Sequence, residues 1–294
     1  MKNHLISFSL SRVRTLAPYC LLALVLTTGC GRSGEAHEQL AAARILYEYG
    51  RYEAAKNAID SLRIKYPREV DILRQALTLM RMVERGESER NIAYCDSLMP
   101  VRLEEAEKLK KGFVFEKNGE YEDTGNYIRA QKTVERNVER SYIRCGVDEK
   151  GEIYLGSVYF GRRSINHTGL RLSAADGTYA ETASIPYDGG MNYRFSDEDN
   201  TTEAVTYKGE RCIAAINFVY TADSKTRIKA EYTGGTSSFA LYLDATDREA
   251  IRATYDLAVV LGDIEKMRIE KEKSIKKIRY IDEKLAEGQT ETEP

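Results

Sequence analysis

The spacing of the apolar residues changes twice along this chain of 294 residues, and these changes restrict the folds that it can adopt. Between residues 36 and 111, apolar side chains recur every three or four positions, which is the period of an amphipathic helix. Between 113 and 243 they alternate with polar ones, as in half-buried strands, and from 247 to 287 the helical period returns. The pattern predicts an α+β protein, with N-terminal helical hairpins, an inserted β domain and a long C-terminal helix.

The alternating region carries the turn signals of an antiparallel β-sandwich. Gly234 and Gly235 separate the runs KTRIKAEY and SSFALYLD, and a Gly-Gly pair between alternating runs is a strong hairpin signal. Further turn signals stand at residues 176–177, 188–190 and 208–209. We therefore expect about eight to ten strands in this region, arranged as a sandwich.

The C-terminal region predicts one long, coiled-coil-like helix. Its a and d positions run from Leu257 to Leu285 and are apolar except at Lys271 and Ser274. We expect this helix to pack back, antiparallel, on the N-terminal helical region, which gives a monomer with a stalk and the β domain at its tip. Pairing with a second chain in a homodimer is the alternative. The polar residues 288–294 are expected to form a disordered tail.

The N-terminus has the features of a secretory signal. Basic residues precede an apolar run from Leu16 to Leu26, which ends in small residues. This run is shorter than the roughly 20 apolar residues of a membrane-spanning helix. We therefore expect residues 1–29 to be a signal peptide.

The residues LTTGC, at positions 26 to 30, resemble the lipobox of bacterial lipoproteins. The resemblance implies cleavage before Cys30 and acylation of Cys30, with residues 30–35 as a polar tether to the folded part. It also implies a place in the bacterial cell envelope, and Gly31 after the cysteine favours the outer membrane over the inner one. The alternative is an ordinary cleaved signal with a chance cysteine.

The segment ARILYEYGRYEAAKNAIDSLRIKYP, residues 43–67, resembles one tetratricopeptide unit. The resemblance implies a helical hairpin that turns at Gly50 and ends at Pro67. No second copy follows, whereas a repeat fold needs about three stacked units. We expect the C-terminal helix to cover the open face of this unit, and further helices over 69–85 and 88–111.

Charge and motifs restrict the function. Removal of three basic signal residues leaves 41 of the 44 basic residues against 46 acidic ones, a net charge near −5, which argues against nonspecific nucleic-acid binding. The sequence contains neither the HExxH and GxSxG motifs nor glycine-rich phosphate loops, and no cysteine–histidine cluster has zinc spacing. We therefore expect no catalytic residues and no cofactor, and a structural role for His167.

Three weaker candidate sites remain. A calcium site would use the alternating oxygen ligands of SDEDNTTE, although a solvated acidic loop is the favoured interpretation. A glycan would stack on two tyrosines beside a Gly-Gly turn, and an exported protein can hold a disulfide, for which buried free thiols are the favoured alternative. The residues concerned are Asp197, Asp199, Thr201 and Glu203 for the metal, Tyr187 and Tyr193 for the ligand, and Cys145 and Cys212 for the disulfide.

These features favour an envelope lipoprotein that is a non-catalytic binding or scaffold protein for an envelope partner. The first alternative is a glycan-binding surface lipoprotein. The second is a hydrolase that uses paired carboxylates, which glycosidases place about 5 to 9.5 Å apart.

Overall fold

A computed structural model describes residues 17–117, 124–197 and 199–290, with side chains from residue 31 to 287 within these ranges. The predicted signal cleavage site and the Cys30 side chain lie outside the described side chains. The described residues contain five α-helices and two antiparallel sheets, so the predicted α+β class is confirmed. The chain divides into two compact units, the first within residues 1–93 and 272–294 and the second within 94–271.

The first unit is helical. It contains α1 (Ala17–Glu48), α2 (Tyr52–Lys65), the start of α3 (Val70–Leu109) and the end of α5 (Ala245–Thr290). Gly50, with a φ of +68°, ends α1, because its N–H bonds to the Tyr47 carbonyl and that of Arg51 to the Leu46 carbonyl. Small and aliphatic residues of α1, α2 and α3 fill the core, namely Ala36, Leu40, Ala43, Ala55, Ile59, Leu62, Ile72, Ala76, Leu79 and Val83.

Two predictions for this helical region differ from the structure. Residues 31–35 of the expected tether are helical and belong to α1. The helices expected over 69–85 and 88–111 are one continuous helix, α3. Gly86 does not end it, because the Tyr52 ring packs closely over this glycine, 3.0 to 3.2 Å from the position of an added Cβ. None of the described helices is both long enough and apolar enough to span a membrane.

The second unit contains both sheets. Its strands are β1 (Phe113–Glu116), β2 (Asn126–Arg129), β3 (Tyr142–Asp148), β4 (Ile153–Gly161), β5 (Gly169–Ala174), β6 (Tyr179–Glu181), β7 (Asn192–Asp197), β8 (Asn200–Lys208), β9 (Ile228–Thr233) and β10 (Phe239–Tyr242). One sheet has the order β1-β2-β3-β4-β8-β7 and the other β10-β9-β5-β6. The Tyr232 hydroxyl links the sheets by donating to the Tyr142 and Val158 carbonyls, at 3.2 and 3.0 Å.

Successive residues of β3, β4 and β8 point to opposite faces of the six-stranded sheet. The inner face shares one core with the four-stranded sheet, α4 (Ile213–Thr221) and α5. Its buried residues are Ile143, Cys145, Val147, Ile153, Leu155, Val205 and Tyr207. The outer face is not part of this core, and it carries the candidate site described below.

The helix α4 was not predicted, since we expected only strands and turns between residues 113 and 243. Cys212 precedes α4 and Tyr220 lies in it. A short run that is apolar throughout does not distinguish a buried strand from a buried helix by its period. The buried residues Ala215, Ile216 and Val219 follow helical spacing.

The helix α5 begins with a reciprocal cap. The Asp244 N–H donates to Asp247, and the Asp247 N–H donates to Asp244, at 2.9 and 2.7 Å. The buried Asp247 also pairs with the buried Lys132. The expected heptad positions are buried at Leu257 and Val260 in the second unit and at Ile281 in the first.

Within each unit, α3 and α5 run antiparallel. In the first unit, the Arg81 guanidinium donates to the Lys284 carbonyl at 3.1 Å, and Arg85 pairs with Asp282 at 2.9 Å. In the second unit, Asp96 pairs with Lys271, and Arg102 pairs with Asp263 at 3.3 Å. In each unit, the partner later in α5 thus meets the residue earlier in α3.

Candidate functional site: the outer face of the six-stranded sheet

A cleft of about 310 Å³ lies on the outer face of the six-stranded sheet. Its volume is at the lower end of the range for small-ligand sites. The floor consists of small side chains, and one wall is the segment 134–140 that precedes β3. Its lining residues include Val134, Val138, Tyr142, Arg144, Tyr193 and Phe195.

The edge strand β7 forms the opposite, aromatic wall. Tyr193 and Phe195 lie two positions apart, so both point to the outer face. Their rings are nearly parallel, at 9°, with centroids 6.4 Å apart. Their exposed fractions are 42% and 54%, so the two rings offer a flat platform to a ligand.

The segment 134–140 is held in place by Asn137. Its side-chain amide donates to the Gln131 and Thr133 carbonyls, at 2.9 and 2.8 Å. This leaves the exposed side chains Val134 and Val138 in the lining of the cleft. The wall therefore presents two exposed valines to the cleft, beside the polar Asn137, Glu139 and Arg140.

The polar end of the cleft is built around Arg144. Its Nη2 donates to Glu116 at 2.7 Å, while its Nε has no hydrogen-bond partner among the described residues. Tyr142 is largely buried, and burial raises its pKa, so the phenol stays protonated as a donor. A second, shallower depression of about 640 Å³ shares Arg144 and Thr206 with the cleft, so the groove extends toward β1.

The inner face of the same strands carries a buried polar network. The Glu203 carboxylate accepts five hydrogen bonds from residues 164–167, including the His167 Nδ1 at 2.9 Å. Because a carboxylate only accepts, this nitrogen donates. In the neutral imidazole, Nε2 then accepts from the Ser157 hydroxyl at 2.9 Å, and Ser157 contacts the Tyr207 hydroxyl at 3.0 Å.

This network fixes the connection between the two sheets. Burial alone raises the pKa of Glu203, but hydrogen bonds from His167, Ser164 and two backbone N–H groups lower it to about 2. Ser157, His167 and Glu203 connect as the residues of a serine hydrolase do. However, none of the three has accessible surface, so the geometry supports a structural role.

The candidate calcium ligands, for which a solvated loop was the favoured interpretation, do not converge. Asp197 is paired with Asn200, which directly precedes Thr201, so Asp197 lies on the face opposite to Thr201 and Glu203. Asp199 lies exposed in the turn between β7 and β8. The carboxylate oxygens of Glu203 already accept hydrogen bonds within the buried network. No group of three or more metal-ligating side chains occurs in the part of the chain that the structure describes.

The two predicted ligand tyrosines are on opposite faces. Tyr193 lines the cleft, whereas Tyr187 stacks under the Arg194 guanidinium, 5.0 Å from its ring centroid. Arg194 is paired with Glu203 on the inner face. Phe195 was missed, although its spacing from Tyr193 in the edge strand was a usable signal.

The weaker alternative, a disulfide, is not formed, and the favoured interpretation of buried free thiols is confirmed. Cys145 and Cys212 are both buried free thiols. Cys145 contacts the Thr254 hydroxyl at 3.5 Å, and Cys212 faces the Ile153 and Gly209 carbonyls. Both therefore pack as small apolar residues.

No family model, no curated protein and no solved structure matches this chain. The function is therefore inferred from the cleft and its residues.

Proposed function

We propose that this protein is a non-catalytic binding protein of the bacterial envelope, which holds a partner protein on the outer face of its six-stranded sheet. The observation that carries the proposal is the exposed aromatic wall of Tyr193 and Phe195 beside an apolar cleft. Exposed aromatic rings beside apolar side chains mark protein interaction sites more often than scattered apolar residues do.

The proposed envelope location rests on the lipobox-like residues 26 to 30. Acylation of Cys30 would hold the protein on a bilayer, since each buried methylene contributes roughly 0.8 kcal/mol. Mass spectrometry of the N-terminal peptide is the test. Acyl chains on Cys30 are expected, and an unmodified Cys30 or an uncleaved N-terminus would contradict the anchor.

The partner surface is tested by co-purification of the full-length protein from crosslinked cells. We expect the double substitution Tyr193→Ala with Phe195→Ala to lose a partner that the wild type retains. Tyr179→Ala with Tyr242→Ala is the matched control, because these tyrosines are also exposed, at 55% and 51%, but lie on the other sheet. Retention of every partner by the first variant would overturn the assignment of the surface.

A second candidate, glycan binding, is favoured by the nearly parallel rings of Tyr193 and Phe195. Sugar rings stack on such platforms. Oligosaccharides would then raise the thermal midpoint of the wild type and leave that of Tyr193→Ala unchanged. Equal midpoints with and without oligosaccharide in the wild type would remove this candidate.

A further inference from the structure

We propose that the free edge of β7 takes up an extended strand of the partner, with an acidic residue between two apolar ones. This inference rests on the proposed function, since it names the kind of segment that the partner would present. The edge and the aromatic wall belong to the same strand, so one segment would contact both.

The backbone of β7 has unused hydrogen-bonding groups. β7 is the last strand of its sheet, and no strand in residues 17–117, 124–197 or 199–290 pairs with its other edge. The Thr206 N–H donates to the Met191 carbonyl at 2.7 Å, which fixes the alternation of the β7–β8 ladder. The backbone groups of Tyr193 and Phe195 then point to β8, and those of Arg194 and Ser196 point outward.

The outward-pointing backbone groups of β7 are free only after its first residue, Asn192. The Asn192 carbonyl accepts from Asp188 and Gly189, at 3.3 and 3.1 Å. Among the described residues, no hydrogen bond reaches the outward backbone groups of Arg194 and Ser196. An added strand would form its main-chain hydrogen bonds with these two outward positions.

β7 also lacks several of the features that protect edge strands, although it has one of them, the inward-pointing charge of Arg194. It has six residues and contains no proline and no lysine, which natural edge strands use against pairing with other chains. The edges of the other sheet, β6 and β10, are three and four residues long. β7 is therefore the better template for an added strand.

The side chains of β7 define the chemistry of the partner. Residues of an added strand opposite Tyr193 and Phe195 would lie on the outer face, against the two rings, which favours apolar side chains there. The residue between them would lie on the inner side, opposite Arg194. Arg194 bonds to Asn166 at 2.6 Å, but its Nε has no partner, and Arg194 forms no ion pair with the described residues. A carboxylate complements this cation.

The test uses a fluorescent peptide, Lys-Thr-Val-Glu-Val-Thr-Lys, and its charge-reversed version with a central lysine. The order of residues is symmetrical, so either strand direction gives the same pairs. Ser196→Pro removes one outward N–H without breaking the β7–β8 ladder. Ser196→Ala is the matched control, because it also loses the side-chain contact to Thr201 but keeps the N–H. Circular dichroism verifies that both variants of the full chain are folded.

We expect the glutamate peptide to bind the wild type and Ser196→Ala equally, and Ser196→Pro about tenfold more weakly, the effect of one lost hydrogen bond. The lysine peptide should bind the wild type about tenfold more weakly than the glutamate peptide does. Equal affinity of the alanine and proline variants, equal affinity for both peptides, or no binding to the wild type would overturn the inference. So would wild-type dimers that dissociate in Ser196→Pro, since a second copy would then occupy the edge.

The co-purification experiment separates this inference from the proposed function. If Ser196→Pro keeps the partner that the double alanine variant loses, the outer face binds without an added strand. In that case the proposed function holds and the edge inference fails. If both variants keep every partner, the proposed function itself fails.

Discussion

Glu203 organises the second unit from the inner side of the strands that form the floor of the cleft. Its carboxylate gathers the backbone N–H groups of Ile165, Asn166 and His167, at 2.7 to 3.1 Å. Asn166 adopts a φ of +55° here, a conformation that asparagine tolerates better than most residues. One buried anion therefore defines the path of the loop that connects the two sheets.

The first prediction concerns Glu203→Gln. The amide would leave buried donors without an acceptor, so we expect a loss of about 3 kcal/mol in the free energy of unfolding at pH 7. Urea denaturation measures this loss. Glu181→Gln, at an exposed residue that pairs with Arg171, should change stability by less than about 0.5 kcal/mol. Equal effects of the two substitutions would contradict the structural role.

The pH dependence follows from the same residue. The pKa of Glu203 is lowered from 4.5 to about 2 in the folded state, so the folded state favours the carboxylate. Its contribution, roughly 3 kcal/mol, is complete above pH 4.5 and is lost as the pH falls toward 2. Wild-type stability should fall over this range more steeply than that of Glu203→Gln.

The second prediction concerns the cysteines. Burial raises the pKa of Cys145 to about 11 and that of Cys212 to about 12, so neither thiol forms the reactive thiolate at pH 8. Iodoacetamide should label neither in the folded protein and both in urea without reductant. Peptide mass spectrometry locates the label, and failure to label in urea would reveal a disulfide after all.

At the scale of single residues, the sequence identified exposed positions better than it identified the contacts of buried ones. Tyr193 could be identified as a candidate ligand-binding residue because an aromatic residue beside a Gly-Gly turn is seldom buried. The alternating spacing groups Glu203 with Asp197 and Asp199 as if they shared one strand, but Asp197 ends β7 and Glu203 lies in β8, so the intervening turn puts them on different faces. The contact of Glu203 with His167 spans 36 positions, and no local pattern encodes such a contact.

At the scale of elements, the packing of the β3–β4 turn on α5 depends on one glycine. Gly151 has a φ of +88°, and a Cβ on it would lie 2.3 Å from the Gly262 nitrogen and 2.7 Å from the Ala258 carbonyl. Gly262 itself has open space where its own Cβ would be. The two glycines thus meet in an asymmetric contact.

The third prediction uses this asymmetry. Gly151→Ala should destabilise the protein by about 3 kcal/mol, because it combines a strained φ with a clash against backbone. Gly262→Ala should stabilise it by about 0.5 to 1 kcal/mol, because alanine is the better helix former. Thermal and urea unfolding measure both effects. If both substitutions changed the free energy of unfolding in the same direction, the turn would not pack on α5 as described.

The elements that the sequence predicted well are those with a long, regular period. The α5 heptad positions and the Gly-Gly hairpin between β9 and β10 follow from local spacing. The short helix α4 and the unbroken α3 do not, because both depend on what packs against them. The Tyr52 ring over Gly86 is one such tertiary contact.

At the scale of the whole molecule, the heptad positions of α5 are largely covered up to residue 287, where the described side chains end. Along this part of the helix they leave no continuous apolar seam for a second chain. Leu257, Val260 and Met267 are buried in the second unit, and Ser274 and Ile281 in the first. The fourth prediction is therefore that Cys30→Ala, which lacks the acylation site, sediments as a single chain. A dimer at micromolar concentration would favour the alternative of α5 pairing between chains.

The central claim is that the outer face of the six-stranded sheet recognises the partner. The most direct measurement is photo-crosslinking in living cells, with p-benzoylphenylalanine at position 195 or, as a control, at position 179 on the other sheet. We predict one discrete crosslinked protein from position 195, which disappears when Tyr193→Ala is added, and none from position 179. Equal crosslinking from both positions, or none from position 195, would contradict the claim.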